Sequence, residues 1–254
     1  MLLVAQERLQ RILARAGLGS RRACEQLLRE GRVRLNGEAA ALGQKANWPE
    51  DRIEVDGRPL SLSVHRSYIA LNKPRGVVST LRPQRGQRGI LDLVNHSGRL
   101  FPVGRLDADS EGLILLTDDG DLAQRLTHPR YGHEKGYRVL VASQPTGGQL
   151  DAWRRGVVMP DGRRSAPAQV RVERGTTGGT WLRVILREGR KRQIRETGAA
   201  LGLPVERIVR VRIGTLRLGS LKPGQHRALS AQEVRELKVE SGIAVDELPT
   251  EISR

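Results

Sequence analysis

Between Gly104 and Gly112 the chain reads Gly-Arg-Leu-Asp-Ala-Asp-Ser-Glu-Gly, with carboxylates at 107, 109 and 111. A carboxylate can attack an electrophilic carbon or move a proton. An apolar run, Leu113 to Leu116, follows and reads as a buried strand. A carboxylate at its mouth would sit on a rigid element, as a catalytic group requires. Two other readings compete. Asp107, Asp109, Glu111 and Gly112 occupy positions 1, 3, 5 and 6 of a calcium loop, but position 12 is Asp118 rather than the bidentate glutamate that completes such a site. The other is a turn with solvated carboxylates, which spacing alone favours. The histidines, at 65, 96, 128, 133 and 226, show no metal-ligand spacing. Cys24 is the single cysteine, so no intrachain disulfide is possible, and a reducing, cytoplasmic setting is expected.

The elements that would hold such a site follow from periodicity. Leu9, Ile12, Leu13 and Ala16 fall at helical spacing and Gly17 suits a stop. Ser20 suits the N-cap of a second helix carrying Ala23, Leu27 and Leu28 and ending near Gly31. Val33–Leu35 reads as a strand with Asn36-Gly37 as a hairpin turn, and Ile53–Val55 precedes Asp56-Gly57. Residues 57–66 read as a linker. Beyond it, Tyr68–Leu71 and Val77–Thr80 flank a Pro74/Gly76 turn and read as two joined strands. Asp121 suits the cap of a short helix over Ala123–Leu126. Strands are expected at 137–141, 180–186 and 205–213, with a helix over 193–201.

Charge points to the partner. The net charge is +16, which concentrates polyanions around the molecule. Residues 1–56 carry net +2, residues 57–238 net +17 and residues 239–254 net −3, so the middle segment holds the electrostatic footprint. Seven aromatic residues are too few for a broad base-stacking platform. No apolar run is long enough to cross a bilayer, and the charged first eleven residues do not read as a secretory signal. The acidic stretch 239–254 is expected to be a flexible tail.

Residues 7–37, Glu-Arg-Leu-Gln-Arg-Ile-Leu-Ala-Arg-Ala-Gly-Leu-Gly-Ser-Arg-Arg and onward to Asn-Gly, resemble the S4 (αL-type) RNA-binding domain. The resemblance implies RNA contacts from Arg8, Arg11, Arg15, Arg21 and Arg22. The stretches LNKPRGVVST from Leu71, FPVGRLDADSEGLILLTDDG from Phe101 and EGRKRQIRETGAALGLP from Glu188 resemble the RsuA/RluB group of pseudouridine synthases. Together the similarity spans roughly residues 7–235.

That resemblance implies an α+β chain: an S4 domain over 1–60, then a catalytic domain over 67–238 on a mixed, mostly antiparallel sheet. It implies isomerisation of uridine in ribosomal RNA, with 23S rRNA favoured over 16S rRNA. The glycosidic N1–C1′ bond breaks, the uracil turns, and C5 joins C1′, so no cofactor, redox agent or metal is expected. It assigns Asp107 as the catalytic carboxylate, Arg195 as its charge partner and Tyr137 as the ring that stacks on uracil. Arg105 would enter the RNA where the base leaves its stack, and Lys73 would lie near the RNA with a mainly structural role. Glu196-Thr197-Gly198 departs from the Arg-Met that many relatives carry after this arginine. A monomer acting on ribosomal RNA, free or in a partly assembled subunit and away from membranes, is expected. The rival from another class is a non-catalytic RNA-binding assembly protein.

Overall fold

The computed structural model describes residues 6–61, 66–96 and 98–244. The chain divides into two compact units, residues 1–66 and 67–254.

In the first unit, helix α1 (Leu9–Arg15) turns Leu9, Ile12 and Leu13 inward and stops at Gly17, whose φ of 87° suits glycine. Helix α2 (Arg21–Arg29) starts at Ser20, whose Oγ accepts from the Ala23 N–H at 3.0 Å. Both helices pack on an antiparallel sheet in the order Glu38–Ala39, Val33–Leu35, Ile53–Val55, Arg58–Pro59. Cys24, Val33 and Ile53 complete the small core. The expected linker begins later than its composition suggests. Asp56 and Gly57 form a hairpin turn with φ of 52° and 74°, and Leu60 donates its N–H to the Ile53 carbonyl at 2.8 Å. Residues 62–65 of that stretch lie outside the described residues.

The second unit is built on a nine-stranded sheet. Its strands are β1 (Tyr68–Lys73), β2 (Phe101–Val103), β3 (Glu111–Thr117), β4 (Lys135–Val141), β5 (Gln169–Thr176), β6 (Gly179–Leu186), β7 (Val205–Ile213), β8 (Leu216–Arg217) and β9 (His226–Ala228). The order is β5-β6-β4-β7-β3-β1-β9, with β2 beside β3 and β8 beside β7. Every pair in this sheet is antiparallel except β3–β7, where only Glu111↔Val209 and Gly112↔Arg210 are aligned. This junction joins two half-sheets.

One side of the β4–β7 half packs Val139, Leu182, Val184 and Ile208 against Trp153 of helix α4 (Gly147–Arg155) and Ile194 of helix α5 (Gln193–Ala200). The β1/β3 half is covered on both sides. Leu113 and Leu115 meet helix α3 (Gly120–Thr127) and helix α6 (Ala231–Glu240); Ile114 and Leu116 meet Val77, Ile90 and Leu100.

Three local expectations change. Val77–Val78 does not pair with β1 but runs parallel to Arg88–Gly89, because both edges of β1 are taken by β3 and β9. Asp119, not Asp121, caps α3, accepting from the Asp121 and Leu122 N–H groups. The acidic stretch from 239 is not a tail at its start: α6 runs to Glu240 and Ile243 packs on the core, while 245–254 lie outside the described residues.

Gly112 fixes how closely the half-sheets meet. Its φ is 106°, and a Cβ there would stand 2.6 Å from the Arg210 nitrogen and nearer still to its carbonyl oxygen. Gly112→Ala is therefore expected to destabilise the second unit by about 3 kcal/mol or more, since backbone strain and overlap add. Urea unfolding followed at the tryptophans, two of which lie in this unit, measures it.

Candidate active site

The loop from Gly104 to Ser110 leads into β3 and is tied down by groups from another part of the chain. The Leu106 N–H donates to Ser79 Oγ at 3.1 Å, and the Ser79 hydroxyl donates to the Leu106 carbonyl at 2.8 Å. Ser79 is buried, so both bonds are shielded from water. The Gly76 N–H donates to the Ala108 carbonyl at 2.8 Å, and the Ser110 N–H closes the turn on the Asp107 carbonyl at 3.0 Å. Below the loop, Lys73 is fully buried and its ammonium donates to the carbonyls of Val77 (2.7 Å), Pro74 (3.0 Å) and Ala108 (3.4 Å). Burial lowers its pKa to about 8, against the opposing pull of Asp109, Glu111 and Asp107.

Asp107, half-buried, borders a cleft of about 280 Å³ with Arg105, Tyr137, Leu186, Arg190, Lys191 and Ile208 among its walls. A cavity of roughly 150 Å³ already admits benzene, so one pyrimidine ring fits. Tyr137, 8% exposed on β4, supplies an aromatic wall, and Leu186 and Ile208 supply apolar ones. The lining is cationic, with Arg105, Arg190, Lys191 and Arg192 among its residues. Arg190 is held by Asp161 and by the carbonyls of Arg163 and Arg164. A carboxylate, an aromatic wall and a rim for phosphates form a site able to take an extruded base.

Comparison with known proteins shows the same two parts. The profile of the RNA pseudouridylate synthase family matches residues 67–200 and that of the S4 domain matches residues 7–53. The chain belongs to the RNA pseudouridine synthase family. It is 43% identical to an RNA pseudouridine synthase of Mycobacterium leprae, over 93% of this chain and 94% of that one. It is 37% identical to the ribosomal large subunit pseudouridine synthase B of Bacillus subtilis, over 91% of this chain and 96% of that one. A solved pseudouridylate synthase superposes with a TM-score of 0.64 at 29% identity, covering 91% of this chain and 99% of that one. The synthase is thus an α+β isomerase that acts on RNA.

The three residues proposed for catalysis are not equivalent in the structure. Asp107 and Tyr137 share the cleft. Arg195 approaches the same loop two residues on: its Nε lies 3.0 Å from Asp109 Oδ2, Nη2 reaches the Asp109 carbonyl at 3.3 Å, and Nη1 donates to Val205 at 2.8 Å. Arg192 also faces Asp109, at 3.6 Å. The expected Arg195–Asp107 pair is therefore an Arg195–Asp109 pair here. The calcium-like pattern comes apart: Asp107 faces the cleft, Asp109 faces Arg195, and Glu111 is held by both nitrogens of Arg207 at 2.8 and 2.9 Å.

Of the proposed RNA contacts, Arg8, Arg21, Arg22 and Arg105 are exposed. Arg11 and Arg15 pair with Glu7 at 3.0 and 2.8 Å, so RNA would compete with a carboxylate for them. Lys73 is not an RNA contact in this structure, because its ammonium is enclosed and spent on backbone carbonyls.

Arg210 was not anticipated. It is 2% exposed; its Nε donates to the Leu113 carbonyl at 2.7 Å and Nη1 to the Arg105 carbonyl at 3.4 Å. Burial lowers its pKa, and the Tyr137 hydroxyl opposes that. It thus ties the loop carrying Asp107 to the strands carrying Tyr137 and Leu113. The available signal was Arg210 standing two residues after Ile208, at an inward position of a strand. Lys135 lies near enough for Arg210 to add to the burial that lowers its own pKa.

Lys73→Met is expected to destabilise the fold, since three carbonyls lose their donor. The folded pKa of Lys73, about 8, lies below its ordinary 10.5, so the unfolded chain binds the extra proton between those values. Wild type should therefore gain stability over the variant as pH rises from 8 towards 10.5. Urea midpoints of both proteins at pH 7.5 and pH 10 measure the difference.

Proposed function

We propose that this synthase isomerises uridine to pseudouridine in large-subunit ribosomal RNA, with Asp107 as the catalytic carboxylate. The observation that carries the reading is the near full-length similarity to a ribosomal large subunit pseudouridine synthase B, together with Asp107 and Tyr137 facing one cleft. Small-subunit RNA is the near alternative. We infer a cytoplasmic monomer acting on the RNA alone or within an assembling subunit; among the described residues no helix is long and apolar enough to cross a membrane.

In this reading the flipped uridine enters between Tyr137 and the Asp107 loop, and Arg105 at the rim fills the gap left in the stack. Asp107 either attacks C1′ as the N1–C1′ bond breaks, or assists departure of the base without bonding to the sugar; the uracil turns, and C5 bonds to C1′, expelling the Asp107 carboxylate where it had bonded there. The C5 proton then leaves, and N1 ends protonated, so product and substrate are isomers. Lys73 lies beneath the loop that carries Asp107, and Arg105, Arg190 and Arg192 line the same cleft. Arg195 would act through Asp109, keeping the loop in register.

Asp107→Asn is expected to remove pseudouridine formation while leaving RNA affinity within about threefold, because the amide keeps the shape and loses the charge and nucleophile. Asp109→Asn should retain activity lowered by about tenfold, through the weakened hold of Arg195. Tritium release from RNA labelled at uridine C5 measures both, and full activity of Asp107→Asn would overturn the assignment.

The first unit should contribute affinity rather than chemistry. Arg21→Glu with Arg22→Glu, both exposed beside the start of α2, should raise KM for a large-subunit RNA fragment by about tenfold or more and leave kcat unchanged. An unchanged KM would take these arginines out of RNA recognition.

A further inference from the structure

Among the described residues, the side of the β4–β7 half-sheet that faces away from the cleft is covered by none of the hydrophobic clusters. Its make-up follows from strand register, since residues directly opposite one another share a face. Arg171 on β5 stands opposite Arg183 on β6, which stands opposite Arg138 on β4. Three like charges lie side by side across three strands. Arg138 is in turn opposite Val209 on β7. The next row along the strands is Arg174, Trp181, Leu140 and Arg207. The row on the other side is Gln169, Ile185, Gly136, Arg212 and Arg217.

Like charges directly opposite on a sheet destabilise it. Two carboxylates offset part of this. Glu173 pairs with Arg138 at 2.6 Å and Arg183 at 3.0 Å; Glu134 pairs with Arg212 at 2.6 Å and Arg187 at 3.1 Å. Arg171 and Arg217 are exposed and form no ion pair among the described residues. Arg138 also lies over the Trp181 ring, 4.8 Å from its centroid. Between the rows is a depression of about 390 Å³ lined by Gly136, Arg138, Arg183, Ile185, Val209 and Arg212. Glycine keeps its floor open, because a Cβ at Gly136 would sit 3.2 Å from that of Arg212.

We propose that this arginine-laddered face, on the opposite side of the sheet from the cleft, binds the sugar–phosphate backbone of a substrate RNA segment distant from the target uridine. Charge decides the occupant. A cationic face with more arginines than carboxylates matches a polyanion, and arginine matches phosphate in geometry as well as charge. The proposal rests on RNA being the substrate. It adds a second contact, which raises the effective concentration of the target at the cleft without altering the chemistry there.

The test pairs Arg171→Gln with Arg217→Gln in the full-length protein. Neither residue lines the cleft, and neither loses an ion pair. Activity and filter binding are measured from low to moderate salt on two RNAs: a long large-subunit rRNA fragment and a short hairpin holding only the target uridine. On the long RNA, KM and Kd should rise about fivefold or more, kcat should hold, and the slope of log affinity against log salt should fall by roughly 1.5. The hairpin should be unaffected, and the thermal midpoint should stay level or rise as repulsion is relieved. Unchanged affinity and salt slope on the long RNA overturn the proposal. So does an equal loss on the hairpin, which would indicate general attraction or a disturbed cleft. Loss confined to protein-bearing subunit particles, with naked RNA bound normally, overturns it in favour of a protein partner. Wild-type turnover on the long fragment tests the substrate assignment separately, because the proposal is read from variant-to-wild-type ratios in binding.

Discussion

The close approach of Gly112 to the Arg210 backbone is the constraint on which the catalytic unit depends. Only two residues align β3 with β7, yet this is where the half-sheets meet. The contact needs a residue with no Cβ and a positive φ. Asp107 lies five residues before Gly112, and Tyr137 stands opposite Arg210 on β4. Both sides of the cleft are therefore measured from one backbone contact. The Arg210 side chain strengthens the same joint, bonding to carbonyls on β3 and on the catalytic loop.

A second consequence is electrostatic. Lys73 and Arg210 lie inside the unit and Lys135 is half-buried, and burial lowers the pKa of each. Burying cations is costly unless polar groups receive them. Here backbone carbonyls accept hydrogen bonds from Lys73 and Arg210. Those carbonyls belong to the segments that need fixing: 74–77, 105–108 and Leu113. The cations thus act as internal clips. The two neighbouring carboxylates have partners of their own, Asp109 in Arg195 and Glu111 in Arg207.

Much of this was legible in the sequence. Strands 113–117, 180–186 and 205–213, both helices of the first unit and the Asn36-Gly37 turn follow from periodicity, capping and turn chemistry, which are local. The family followed from ordered motifs spread over most of the chain. Helices α4 and α6 escaped notice although Thr146 and Ser230 form capping boxes, because their apolar positions are sparse. Strand β5 escaped because, at the sheet edge, nearly all its residues are exposed and alternation disappears.

What the sequence by itself determined was the set of reactive groups and their order: Asp107 before a buried strand, Tyr137 in another, arginines in excess. What tertiary structure alone decided was who faces whom. Arg195 meets Asp109 rather than Asp107, Lys73 turns inward rather than to RNA, and Val77–Val78 leaves β1 for Arg88–Gly89. The ladder of Arg171, Arg183 and Arg138 exists only through strand register across residues far apart in the chain. The reason is physical. Local patterns fix which side of its own element a residue takes, whereas ion-pair choice, burial of charge and cross-strand neighbours depend on distances set by packing between elements.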